Sequence, residues 1–186
     1  MKSLLVCSNS TKDFDIVDKC NEKRIVSSAP DISILEEMGT YENVVAIGGG
    51  AVIDTAKILS KNPITCYPTT AAGSSATSWS VYWDGFDKHS VKRIKPNRIG
   101  ISYAFVDSLP DNVVKDTTYD VVSHCFDSIH SKNKTEKSLW YCNSALDILR
   151  SEEFHKNYNL IRAGHIAGHA IEITGTNILH SLSYPL

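Results

Sequence analysis

Two stretches of this chain space their side chains as a divalent metal ion would require. In "TYDVVSHCF", Asp120 and His124 lie four residues apart in a helical pattern, so both project from one face and can reach a single ion. A carboxylate with an imidazole suits ferrous iron or zinc. His165 and His169, in "AGHIAGHA", repeat the four-residue spacing. His180 stands in the apolar run "NILHSLSYPL", where a buried imidazole needs a partner or a metal to offset its desolvation. Plainer readings exist for each: an Asp–His pair on a solvated helix face, or a core histidine satisfied by its neighbours.

A different chemistry is written into "NVVAIGGGAVIDTAK". Gly48, Gly49 and Gly50 sit between an apolar run and a helical pattern that carries Asp54 and Lys57. Backbone amides at a helix start, with no Cβ atoms to shield them, favour a pyrophosphate. Asp54 is counted with the glycines on the cofactor side. The alternative is a tight packing turn, since neither GxGxxG nor GxxxxGK[ST] is present. Next comes "YPTTAAGSSATS", where Thr69, Thr70, Ser74 and Ser75 offer hydroxyls to phosphate, ribose or amide groups. A flexible solvated loop would have the same composition.

These residues need elements to hold them. "SLLVCS", "KRIVSS", "NVVAIGG" and "ITCYPT" are short continuous apolar runs, as in parallel strands covered on both faces. Helical patterns fall between them at "DFDIVDKC", "DISILEEMGTY" and "AVIDTAKILSK". Such alternation predicts an α/β fold with a Rossmann-like, doubly wound parallel sheet. "SVYWDG" and "RIGISYAFVD" read as extended, and "KHSVKRIKPNR" as a solvated loop or hairpin. From Pro110 onward the patterns are helical, including one continuous stretch from about Asn159 to Leu182. The expected domains are therefore 1–109, dinucleotide-binding, and 110–186, helical and metal-binding.

Composition narrows the function classes. Nineteen Lys and Arg against twenty-one Asp and Glu in 186 residues leave a net charge of −2, which speaks against nucleic acid or anionic membrane as partner. No apolar run approaches the roughly 18 residues of a spanning helix. Five cysteines without a CxxC pair fit free thiols in a reducing cytoplasm.

In order, "AIGGGAVIDTAK", "YPTTAAGSSAT", "DVVSH" and "AG…AG…HSLSYPL" closely resemble the iron-containing alcohol dehydrogenase family, related to dehydroquinate synthase and glycerol dehydrogenase. The resemblance runs from about Asn43 to the last residue. It implies that Gly48, Gly49 and Gly50 hold the pyrophosphate of NAD or NADP. Thr69, Thr70 and Ser74 would line the nicotinamide half, with Lys92 near the cofactor. It implies Fe(II) or Zn(II) on Asp120, His124 and His180. The substrate would be a small alcohol or aldehyde, the assembly a homo-oligomer, and the proton relay Tyr184 or His169.

Departures qualify the resemblance. Ala51 replaces the family's serine after the glycines, and Ser8 and Asn9 stand where an aspartate usually binds the adenosine ribose. Tyr184 replaces a second histidine, a variant similar to the "HALSYPL" form of phosphonoacetaldehyde-reducing relatives, which points to a small phosphonate aldehyde. The family continues past the position of Leu186 with a further metal-binding histidine, so the chain is expected to be a fragment or a reduced member. A dehydroquinate-synthase-like lyase and a non-catalytic cofactor-binding fragment are the alternatives.

Overall fold

The computed structural model describes residues 2–14, 20–107, 109–151 and 157–183. Its chain divides into two compact units. One comprises Met1–Thr69 with Ser78–Gly100, and the other Thr70–Thr77 with Ile101–Leu186. This differs from a single boundary at 109/110. The chain enters the second unit at Thr70, returns at Ser78 and leaves again after Gly100, because residues 70–77 pack against a helix that comes about ninety residues later.

In the first unit, β1 (Ser3–Cys7), β2 (Glu22–Ile25), β3 (Asn43–Gly48), β4 (Thr65–Pro68) and β7 (Arg98–Ile99) form a parallel sheet in the order β2-β1-β3-β4-β7. All five residues of β1 are buried, as expected of a strand with neighbours on both sides and cover on both faces. β2 lies at the edge and is mostly exposed. The core joins Leu4, Val6, Ala46, Ile53, Ile58, Leu59 and Ile64. Each fully buried Ile or Leu contributes about 1.5–3 kcal/mol relative to an exposed one. The chain passes from β1 to β2 on one side and then to β3 on the other. That reversal places a topological switch point between the carboxyl ends of β1 and β3.

Helix α1 (Gly50–Leu59) follows β3 directly. Its pattern buries eight of its residues, and it ends at Ser60, whose amide bonds the Ala56 carbonyl. β5 (Trp79–Asp84) and β6 (Asp87–Lys92) form an antiparallel hairpin around Gly85. The expected helix over "DISILEEMGTY" is a short 3₁₀ segment, Ile32–Glu37, closed by Gly39 at φ 69°. "RIGISYAFVD" is extended only at Arg98–Ile99 and turns helical in α2 (Tyr103–Val106). The helix expected over "DFDIVDKC" falls largely outside the described residues.

The second unit is helical: α3 (Asp111–His130), α4 (Glu136–Arg150), α5 (Asn157–Thr174) and α6 (Ile178–Ser183). α4 opens with a reciprocal cap, Thr135 Oγ1 accepting from Ser138 N–H and Ser138 Oγ from Thr135 N–H. α5 packs on both α3 and α4 through small residues, Ala163, Ala167 and Ala170, against Val121, Cys125, Cys142 and Ala145. The stretch expected as one helix from 159 to 182 is broken between α5 and α6. Gly175 takes φ 72° and its amide bonds the Ile171 carbonyl, a left-handed helix stop that a glycine adopts at little cost. No helix among the described residues is long and apolar enough to cross a membrane.

Candidate functional site

The break after α5 swings α6 back onto α3 and carries His180 to the face that bears Asp120 and His124. One ligand atom from each of the three lies within 4.8 Å of the others. Asp120 Oδ1 is 3.5 Å from His124 Nε2 and 3.6 Å from His180 Nε2. Two donors about 2.1 Å from one ion at the tetrahedral angle lie about 3.4 Å apart, so both separations suit a shared ion. The two imidazoles stack almost parallel, 3° between planes and 4.8 Å between centroids. A cavity of about 230 Å³ opens beside the cluster, lined by Asp116, Tyr119, Asp120, Ser123, Leu179 and His180.

Asp127 is the residue that assembles this arrangement, and the sequence reading passed over it. It lies on α3 seven residues after Asp120 and three after His124, on the same face. Its buried carboxylate accepts from Asn177 N–H at 2.9 Å and Leu179 N–H at 3.1 Å, which anchors the start of α6. It also accepts from His180 Nδ1 at 2.8 Å. That bond fixes the His180 proton on Nδ1 and turns the Nε2 lone pair toward Asp120, the arrangement a carboxylate–histidine–metal triad needs. The signal was available as the spacing 120, 124, 127.

Burial alone would lower the His180 pKa, but the Asp120 and Asp127 carboxylates outweigh it and the net shift is upward. Burial alone would raise Asp127. The Asn177 amide, His180 and the Leu179 amide together hold its carboxyl below the ordinary range. The carboxylate is therefore charged at neutral pH.

In the first unit, Gly48 ends β3, Gly49 caps α1 with no side-chain bond to its amides, and Gly50 is the first helical residue. None of the three has positive φ. A Cβ on Gly48 would lie 2.6 Å from Val52 Cγ2, so this glycine serves close strand–helix packing. Gly49 and Gly50 are partly exposed, at the amino end of α1 beside the switch point. Those amides suit an anion. At the carboxyl end of β1, Thr11 Oγ1 donates to the Ile47 carbonyl at 2.7 Å, and Ser8 bonds both Ser10 and Thr11. Hydroxyls therefore line the β1 side of the reversal and glycine amides the β3 side.

The remaining candidates divide. Asp54 faces inward: its Oδ1 is 3.0 Å from Lys57 Nζ and its Oδ2 accepts from Val81 N–H at 3.2 Å, while Lys57 Nζ donates to the Trp79 carbonyl. This buried pair fastens α1 to β5. Lys92 ends β6 with its ammonium 5.9 Å from the Trp79 ring. Thr69 is buried, its amide bonded to the Gly48 carbonyl at 3.0 Å. Thr70 and Ser74 are partly exposed, and Ser75 Oγ shares a hydrogen bond with His165 Nδ1 at 2.9 Å. His169 stacks on Tyr141 at 5.0 Å and meets His165 edge-on. His165 and His169 join no group of three ligands among the described residues. Tyr184 lies outside those residues.

The whole chain superimposes on an iron-containing alcohol dehydrogenase from Thermotoga maritima with a TM-score of 0.83, at 23% identity and over 66% of that chain. The chain has the iron-containing alcohol dehydrogenase fold. A sulfoacetaldehyde reductase from Bifidobacterium kashiwanohense, solved in complex with NAD+, matches the whole chain at TM-score 0.82 and 21% identity, over 63% of its own length. In sequence, a 4-hydroxybutyrate dehydrogenase from Clostridium kluyveri is 26% identical over 83% of this chain and 52% of its own. The chain thus spans about half the length of that curated relative. No family model matches it.

Proposed function

We propose that the protein is an NAD(P)- and metal-dependent alcohol dehydrogenase working as a reductase of small aldehydes. The observation that carries this is the cluster of Asp120, His124 and His180, with Asp127 holding the His180 tautomer. Support also comes from the family fold and from relatives named for iron, NAD+ and aldehyde or alcohol chemistry.

The two groups supply, when bound, polarisation of the carbonyl oxygen by a divalent ion, Fe(II) or Zn(II), and hydride from a reduced nicotinamide. The chain's own residues do the rest. Asp120, His124 and His180 would hold the ion with one carboxylate and two imidazoles, a donor set that would leave it able to polarise a carbonyl oxygen. Asp127 keeps Nδ1 of His180 protonated and directs Nε2 toward Asp120. The amides of Gly49 and Gly50, at the amino end of α1, would hold the dinucleotide pyrophosphate. His169 and Tyr184 are the candidates for donating the proton that carbonyl reduction consumes.

The substrate we favour is a short aldehyde with an acidic tail, phosphonate, sulfonate or carboxylate. Sulfoacetaldehyde and 4-hydroxybutyrate, in the relatives' names, each join an acid to an aldehyde or alcohol. The five free cysteines support a cytoplasmic setting, and a homo-oligomer is proposed with it.

The test is anaerobic purification followed by metal analysis of the wild type and Asp120→Ala, with NADH and NADPH oxidation against short aldehydes with and without acidic tails. Near-stoichiometric iron or zinc, lost in the variant together with turnover, is expected. Turnover that survives in a metal-free Asp120→Ala protein would overturn the assignment.

A further inference from the structure

Residues 70–77 do something in the second unit that a solvated loop would not. Gly73 takes φ 75° and starts a single 3₁₀ turn, Ser74–Ala76, which lies against α5. The helix is notched to receive it. A Cβ on Gly164 would lie 2.1 Å from the Ala71 carbonyl oxygen, and one on Gly168 would lie 2.5 Å from that of Gly73. The backbones therefore touch, and only glycine fits at either position. On its other side the turn faces His124 across the space that an added methyl would fill. A Cβ on Gly73 would be 3.4 Å from His124 Cε1, while 3.3 Å from both the Gly164 oxygen and the Gly168 Cα.

Cε1 is bonded to Nε2, the ring atom that faces Asp120. A group that filled the space beside Cε1 would bear on the direction of Nε2. The turn is locked in place by the hydrogen bond between buried Ser75 and His165, which lies on the same helix as the notch.

We propose that residues 71–75 are a clasp that positions His124 for metal, with Gly73 leaving the space beside its ring and the Ser75–His165 bond as its latch. Gly73, Ser75 and His165 are positioning residues and touch no metal themselves. The inference rests on the metal reading above and adds to it a device outside the ligand set and outside the α3 and α6 elements that bear it. It also accounts for His165, which has ligand-like spacing with His169 yet joins no ligand cluster among the described residues.

The experiment titrates Co(II) into the full metal-free chain and follows its visible ligand-field bands, which report both affinity and coordination geometry. Gly73→Ala is compared with Gly85→Ala. Gly85 has a similar positive φ of 59° but no atom near its would-be Cβ, so that variant carries the backbone strain without the contact. Gly73→Ala is expected to weaken Co(II) binding about tenfold or more and to alter the bands, the scale seen when support behind a ligand is removed. Gly85→Ala is expected to bind as wild type. Should Gly73→Ala fail to fold, His165→Ala at the half-buried latch gives the same test. A weakening of about three- to tenfold is expected there, with recovery in His165→Gln, which can still bond Ser75. Wild-type affinity and bands in both Gly73→Ala and His165→Ala would overturn the clasp. Equal weakening in Gly85→Ala would do so too, by reducing the effect to general strain. A wild type that binds no Co(II) would sink the metal reading and the clasp together, so the two failures are distinguishable.

Discussion

Replacing Asp127 by Asn separates the two tasks this carboxylate performs. It is 1% exposed and accepts three hydrogen bonds, two from the backbone at the start of α6 and one from His180 Nδ1. The amide side chain keeps one acceptor oxygen but turns an NH₂ group toward donors. At least one bond is lost and the charge assistance of the others goes with it. Charge-assisted bonds are worth about 1.5–3 kcal/mol each and a helix cap about 1 kcal/mol, so a loss of about 2–4 kcal/mol in unfolding free energy is expected. His180 would also be released from its Nδ1–H tautomer, and metal affinity should fall about 10–100-fold. Urea denaturation of the metal-free chain measures the first quantity, and Co(II) titration in the absence of denaturant the second. Lost stability with wild-type metal affinity would show that Asp127 caps α6 and does nothing for His180. That outcome would refute the orienting role.

The metal-free protein should also show a pH optimum of stability. The His180 pKa is raised on folding, so its contribution is complete below its unfolded value of about 6.5 and fades as pH rises through the folded value. Asp127 is lowered, so its contribution is complete above about 3.9 and fades as pH falls through its folded value. Urea midpoints should therefore peak between those limits, and the peak should flatten in Asp127→Asn. In the first unit, Lys57→Met strands the buried Asp54 carboxylate and should cost about 3–5 kcal/mol by thermal or urea unfolding, whereas Lys57→Met with Asp54→Leu should recover most of it. Little loss in the single variant would contradict the fastening of α1 to β5. Native-state alkylation should modify Cys20 first, because it is the partly exposed thiol and the other four cysteines are buried. Cys66, pushed up to about 12 by burial against the smaller opposing effect of Lys57, should react only after unfolding. Mass spectrometry of labelled peptides reads this directly.

The order of the first four strands was legible in the sequence because each carries its own apolar run. Four short apolar runs became β1 to β4, and the glycines between β3 and α1 marked the turn at the sheet's carboxyl edge. The pair Asp120 and His124 was legible as well, since a four-residue separation on one helix is fixed by helix geometry alone. The family resemblance rested on residues that are close in the chain, and the fold agrees with it.

Contacts between distant segments had no such signal. Gly175 is one glycine in an otherwise helical pattern, and periodicity does not show that it stops α5 and returns His180 to α3. Asp127 sat in plain view at the right spacing, but its three donors come from residues 177 to 180, some fifty positions later. Asp54 looked like part of a cofactor turn until the partners Lys57 and Val81 turned it inward. Residues 70–77 had the composition of a loop, and only the notch at Gly164 and Gly168 placed them in the second unit. Local period determines which elements form and which faces they offer. Which buried polar group meets which partner depends on close packing and desolvation across the folded chain, and only the tertiary structure decides that.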